Sequence, residues 1–113
     1  MPGFNNYIDK FDFATENHER YYITFSQKSG TYILTYSEYD NSVYYCDLLS
    51  IWTTESSEPI KIMKYCLSTA KLSVFCRFKR EAVGLFDQLK ACGDNLYYLN
   101  NLNDKIVIYK FKL

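Results

Sequence analysis

The sequence predicts a mainly-β α+β domain, an antiparallel sandwich or barrel of six or seven strands with one amphipathic helix packed on it near the C-terminus. Three observations carry that expectation. Aromatic residues make up 19% of the chain, with 12 Tyr and 8 Phe, and such side chains suit the pleated, half-buried surface of strands. Runs of period-two alternation are separated by turn residues at intervals too short for a parallel crossover. Between Lys71 and Tyr98 the apolar period then changes from two to three and four. A length of 113 residues bounds the answer to one domain overall.

Taken in order, residues 1–20 place Phe4, Tyr7, Ile8 and Phe11 at the i, i+3, i+4, i+7 positions of a short helix. An extended arm laid over the core is the other reading, and the body of the domain is 21–113. His18 lies in the polar run from Thr15 to Arg20 and reads as a solvated loop residue. Residues 21–27 alternate as a strand, and Lys28-Ser29-Gly30 turns it, with glycine supplying a positive φ. Residues 31–39 return with Tyr32, Leu34 and Tyr36 on one face, and Asp40-Asn41 turns the chain again. Residues 42–54 form a longer strand whose apolar face switches near Asp47, the mark of a bulge or a bend. A loop over 54–59, a strand over 60–67 and a turn at Ser68-Thr69-Ala70 follow.

The strand over 71–78 sets Leu72, Val74, Cys76 and Phe78 against Lys71, Ser73, Arg77 and Lys79. Phe75 falls among the polar set, so it is either covered by another element or an exposed contact. Beyond Lys79 and Arg80, the positions Ala82, Leu85, Leu89, Cys92, Leu96 and Leu99 trace a helical stripe. Glu81 suits the first turn of a helix, where the dipole favours a negative charge. Gly93-Asp94-Asn95 interrupts the stripe, which predicts a helix over about 81–92 and a turn or irregular segment after it. Residues 105–113 read as a closing strand with Val107, Tyr109, Phe111 and Leu113 inward, and Lys110 and Lys112 outward as guards of an edge.

Chemistry is conspicuous mostly by exclusion. Cys46, Cys66, Cys76 and Cys92 include no C-x-x-C pair and stand with one histidine, which argues against a metal site and for reduced structural thiols. The four glycines are scattered, so no phosphate loop is present, and no nucleophile elbow or H-E-x-x-H motif occurs. No catalytic residue, cofactor or metal is expected. The N-terminus lacks a basic region followed by an apolar run, and no apolar stretch approaches the ~20 residues of a membrane span. An intracellular setting, nuclear or cytoplasmic, is the expectation.

Binding remains. Net charge is zero, yet residues 1–58 carry three bases against nine acids and residues 59–113 carry ten bases against four acids. The basic half suits phosphate, nucleic acid or an acidic partner, unless the two halves interleave in the fold. Lys61, Lys64, Lys71, Arg77, Lys79 and Arg80 fall on two consecutive strands and the following turn. They form an anion or partner surface, with Phe75 and Tyr65 as stacking or apolar anchors, or else an ordinary solvated face. A strand edge, or the outer side of the helix, is the other candidate surface, where an extended or helical peptide could dock; protein partners, including a homo-oligomer, are the expectation.

The antiparallel run, then Val74-Phe75-Cys76-Arg77-Phe78, a charged turn and the segment from Glu81 to Cys92 together resemble the last strand and capping helix of pleckstrin-homology-like domains. Within that superfold the chain is similar to the N-terminal domain of meiotic double-strand-break accessory proteins. The segment from Ile60 to Lys64 resembles the basic, apolar strand one step upstream in that family. The likeness covers about residues 21–99. The longer aromatic N-terminus and the strand after the helix depart from it. The resemblance implies a non-enzymatic scaffold in meiotic recombination, binding protein partners; the alternative class is an anion-binding module for nucleic acid or phosphoinositide.

Overall fold

Nine strands in three antiparallel sheets make up the structure, a computed structural model that describes residues 5–24, 32–47, 59–84 and 86–113. The chain forms two compact units, Met1–Gly30 and Thr31–Leu113. The expected six- or seven-stranded sandwich with a packed helix is therefore corrected on two counts: the described residues hold nine strands in three sheets, and no helix occurs among them.

In the N-terminal unit, β1 (Asn5–Asp12) pairs with β2 (Asn17–Thr24) over their whole length. The helical spacing read from Phe4 to Phe11 gives way over the described residues because a paired partner strand satisfies the backbone that so short a helix would leave half-bonded. Asp12 Oδ1 accepts the amides of Ala14 and Thr15 at 3.0 and 3.4 Å and so shapes the turn. His18 is thus a strand residue. Its Nε2 lies 3.3 Å from Asp9 Oδ1, and Arg20 Nε donates to the same oxygen at 2.7 Å. The Arg20 hydrogen bond holds the Asp9 carboxyl below the usual carboxylate range.

In the second unit, β3 (Tyr32–Ser37), β4 (Ser42–Asp47), β5 (Ile60–Cys66) and β6 (Lys71–Phe78) form one sheet in that order. A second sheet holds β7 (Gln88–Cys92), β8 (Asn95–Asn101) and β9 (Ile106–Lys112). The β1–β2, β3–β4 and β5–β6 hairpins each close through a four-residue loop whose last residue is left-handed: Glu16, Asn41 and Ala70 at φ of 60°, 50° and 55°. The β7–β8 hairpin uses a two-residue loop, with Gly93 first at φ 58°. That position of a II′ turn favours glycine for want of a Cβ.

The core lies between the inner faces of these two sheets. Tyr44, Cys46, Ile60 and Ile62 meet Leu89, Leu96 and Tyr98, all buried, with Phe75, Phe78, Tyr109 and Phe111 packed around them. The expected inward set of β9 is seen: Val107, Tyr109, Phe111 and Leu113 are half-buried while Ile106, Ile108, Lys110 and Lys112 are exposed. In β6 the alternation is broken by a bulge, since Ile62 faces Cys76 while the adjacent Met63 faces Val74. Phe75 is the extra residue. Phe75 and Cys76 both serve the core, and Leu72 and Val74 are turned out at 43% and 40% exposure. Period-two reading cannot register one inserted residue, because a slip of one exchanges the faces.

The sheet of β3 to β6 also interleaves the acidic and basic halves of the sequence: β4 pairs with β5, and Lys64 Nζ lies 3.3 Å from Asp40 Oδ2. The two sheets meet edge to edge at β3 and β7, where the amide of Ala91 donates to Thr35 Oγ1 at 3.0 Å. The expected turn at residues 28–30, the face switch beyond Asp47 and the loop over 54–58 lie outside the described residues, as do the side chains of residues 21–27.

The predicted helix over 81–92 is replaced by irregular backbone at the described residues 79–84 and 86–87, followed by β7. Leu89 and Ala91 satisfy a period of two as well as Leu85, Leu89 and Cys92 satisfy a helical one. The tie is decided by what the segment can pair with. The amides of 88–92 find a ladder on β8, and β8 itself alternates fully, with Leu96, Tyr98 and Asn100 buried and the residues between them half-buried.

Candidate functional site

Of the seven residues picked from sequence, three converge. Lys61 and Arg77 are direct cross-strand partners on β5 and β6, both exposed, and Lys79 follows two positions beyond Arg77. Like charges facing each other across a ladder disfavour the pairing unless an anion lies between them. None of the three has a carboxylate within salt-bridge distance among the described residues.

The other four lie elsewhere. Lys64 is half-buried, tied to Asp40, and stands 5.9 Å from the centre of the Tyr44 ring. Burial first, then the bond it donates to Asp40, pushes the Tyr44 phenol far up. Lys71 opens β6, about 25 Å of strand from Lys79. Phe75 packs edge-on against Tyr44 at 5.0 Å and Phe111 at 6.3 Å, on the core side, where it cannot stack on a ligand.

Arg80 is not on the surface at all. Its side chain and that of Asp87 are both fully buried, with Arg80 Nη1 2.9 Å from Asp87 Oδ2. Asp87 also accepts from Tyr98 Oη at 2.5 Å, from Asn100 Nδ2 at 3.2 Å and from the amide of Asn101 at 2.9 Å. Burial and the neighbouring carboxylate raise the Tyr98 phenol well above its ordinary range, so it stays a donor. Gly84 lies against this cluster: a Cβ there would run into Asp87 and come within 2.6 Å of Asn100 Nδ2. Arg80 and Asp87 bracket the irregular segment and anchor both its ends.

What that anchoring presents is a pair of apolar side chains. Phe86 is 75% exposed and Val83 49% exposed. Phe86 has φ of 58°, a left-handed conformation that costs a non-glycine residue about 1 kcal/mol or more and persists where its surroundings impose it. At Val83, an open cavity of about 440 Å³ is lined by Ala82, Val83, Asn101 at the end of β8 and residues 102–104 of the β8–β9 turn. Sequence reasoning missed Phe86 and the Asp87 cluster. The available signal was a large apolar residue, Phe86, standing off the proposed helical stripe next to the charged Asp87.

Cys66 is a further chemical feature. All four cysteines are thiols. Cys66 stands opposite Ser42 beside the β5–β6 turn, and a hydrogen bond from the Thr69 hydroxyl, with the amides of Thr69 and Ser68, pulls it down to about 7. Burial pushes Cys76 the other way. The folded Cys66 value lies below the free one, so its contribution to stability is present above the free thiol's range and is lost as pH falls through about 7. Alkylation of Cys66 by iodoacetamide, followed by peptide mass spectrometry, is expected to rise with a midpoint near pH 7 while Cys76 stays slow. A Cys66 midpoint at or above 9 refutes this.

No helix among the described residues is long and apolar enough to cross a membrane. The described residues define a small mainly-β domain with exposed apolar side chains, Val83 and Phe86, beside a buried ion pair and a separate basic pair of strands. No family model, curated protein or solved structure matches the chain.

Proposed function

We propose that this chain is a non-enzymatic protein-interaction module whose anchor is the loop bearing Val83 and Phe86. The observation that carries this reading is Phe86, an aromatic ring held in water on a left-handed backbone by a buried ion pair at the next residue. Exposed aromatics with fixed backbones are the residues that dominate protein interfaces, because burying them gains area while ordering little. The neighbouring cavity offers a partner side chain a seat. A place in meiotic recombination rests on the resemblance alone and adds no residue to this surface.

A second reading, an anion-binding module, has its own support in the facing Lys61 and Arg77 with Lys79 beyond. One experiment separates the two. The immobilised chain is used to isolate binding proteins at low and high salt, and the free chain is titrated with labelled single- and double-stranded DNA. Phe86→Asn, which tolerates the left-handed conformation, is compared with a Lys61→Ala/Lys79→Ala double variant. The interaction reading expects a salt-tolerant protein complex weakened about 30-fold by Phe86→Asn. Binding that falls steeply with salt and with the lysine substitutions, and ignores Phe86, transfers the function to the basic strands. No binding of either kind refutes both.

A further inference from the structure

We infer that β9 is a homodimerisation edge, pairing antiparallel with β9 of a second copy of this chain. Among the described residues, strand β9 ends its sheet, with β8 as its ladder partner. The amide of Leu102 donates to the carbonyl of Lys105 at 2.9 Å, and that of Leu113 to the carbonyl of Asp94 at 2.9 Å. Bonded and non-bonded pairs alternate along an antiparallel ladder. Val107, Tyr109 and Phe111 therefore turn their amides and carbonyls to β8, and Ile106, Ile108 and Lys110 turn theirs to the open edge.

That edge is apolar where natural edges are guarded. Ile106 and Ile108 are 56% and 59% exposed on the face away from the core. Of the two lysines that would guard the strand, Lys112 is tied to Asp94. A seven-residue edge with adjacent exposed isoleucines is a template for a further strand.

The occupant follows from the edge's own sequence. When β9 pairs with itself across a two-fold axis, the register that sets Ile106 opposite Ile108 also sets Asp104, in the β8–β9 turn, opposite Lys110 of the second copy. Both pairs occur twice, giving four contiguous isoleucines capped at each end by opposite charges. Moving the register by two residues either way sets Lys110 against Ile106, or Asp104 against Ile108. One register is thus self-complementary in both shape and charge, which a foreign strand has no reason to match. The contact uses neither Phe86 nor the basic triplet, so it stands or falls apart from the function proposed above.

Light scattering and sedimentation equilibrium on the whole chain are expected to show a dimer in concentration-dependent exchange with monomer. Ile108→Lys should weaken it about tenfold, since each change acts twice across the axis. Asp104→Lys should weaken it several-fold, and Asp104→Lys combined with Lys110→Asp should restore it. Circular dichroism checks that each variant folds. If Ile108→Lys does not fold, the charge-exchange pair, at exposed positions, decides the matter. A chain that stays monomeric at its highest soluble concentration overturns the inference and leaves the edge to a strand of another protein. So does a dimer indifferent to Ile108→Lys, or a charge exchange that fails to restore association.

Discussion

Asp87→Ala is expected to cost about 3–5 kcal/mol of folding stability, because it leaves the Arg80 guanidinium buried without its carboxylate. The carboxylate collects four donors: Arg80 Nη1, Tyr98 Oη, Asn100 Nδ2 and the Asn101 amide. Removing it takes the shared acceptor from all of them, although Asn100 Nδ2 keeps the Ala82 carbonyl at 3.1 Å and Arg80 keeps its other contacts, and a domain of this kind has only about 5–15 kcal/mol in total. Urea denaturation followed by circular dichroism measures the loss. The double variant Arg80→Met/Asp87→Leu is the informative control: it removes the unpaired buried charge and so should lose less than Asp87→Ala, the remaining loss being that of the Tyr98, Asn100 and Asn101 donors deprived of their acceptor. If Asp87→Ala loses less than about 1 kcal/mol, the segment is not pinned as described, and the rigid presentation of Phe86 loses its basis.

Phe78→Ala is expected to cost about 3 kcal/mol, the lower end of the range for deleting a large aromatic from a core, because the ring is only half-buried. Phe78 lies 4.9 Å from Tyr98, 4.9 Å from Tyr109 and 5.2 Å from Phe111, ring centre to ring centre. It is the one β6 side chain to meet rings of both β8 and β9, so its loss loosens the second sheet from the first. Phe78→Leu, which keeps most of the volume, should lose about half as much. Hydrogen exchange provides the sharper check: amides of β8 and β9 should lose protection in Phe78→Ala before those of β4 and β5. Uniform loss across both sheets would show that the aromatic cluster is not a local joint.

Much of the strand content could be read in the chain. β3, β5, β6 and β9 fall where alternation and turn residues placed them, and Asn41 and Ala70 take the left-handed positions that close two of the hairpins. Two kinds of information were not readable. One was the choice between periods at 81–99, where Leu89, Leu96 and Leu99 satisfy both a helix and a hairpin. Only the availability of β8 and β9 as ladder partners, and of the β3–β6 sheet as a surface to cover, selects the strands. The other was the single-residue bulge that brings Phe75 inward and turns Leu72 and Val74 out. The resemblance to pleckstrin-homology-like domains leaned on the helix read over 81–92, the segment where the structure has β7.

The candidate site divides in the same way. Lys61, Arg77 and Lys79 were readable as neighbours because antiparallel hairpins fix which residues face one another. Arg80, one residue further, looked identical in sequence and is buried, because its partner Asp87 lies seven residues away through an irregular segment that alternation does not describe. The sequence by itself determined the strand-rich class, the β3–β4 and β5–β6 hairpins and the inward face of β9, since these follow from local periodicity and turn chemistry. Tertiary structure alone decided which cations reach water, that Phe86 stays outside and that β9 ends its sheet among the described residues. Each of those depends on a partner brought in from elsewhere in the chain, and a burial cost or a free hydrogen bond has no sign until that partner is in place.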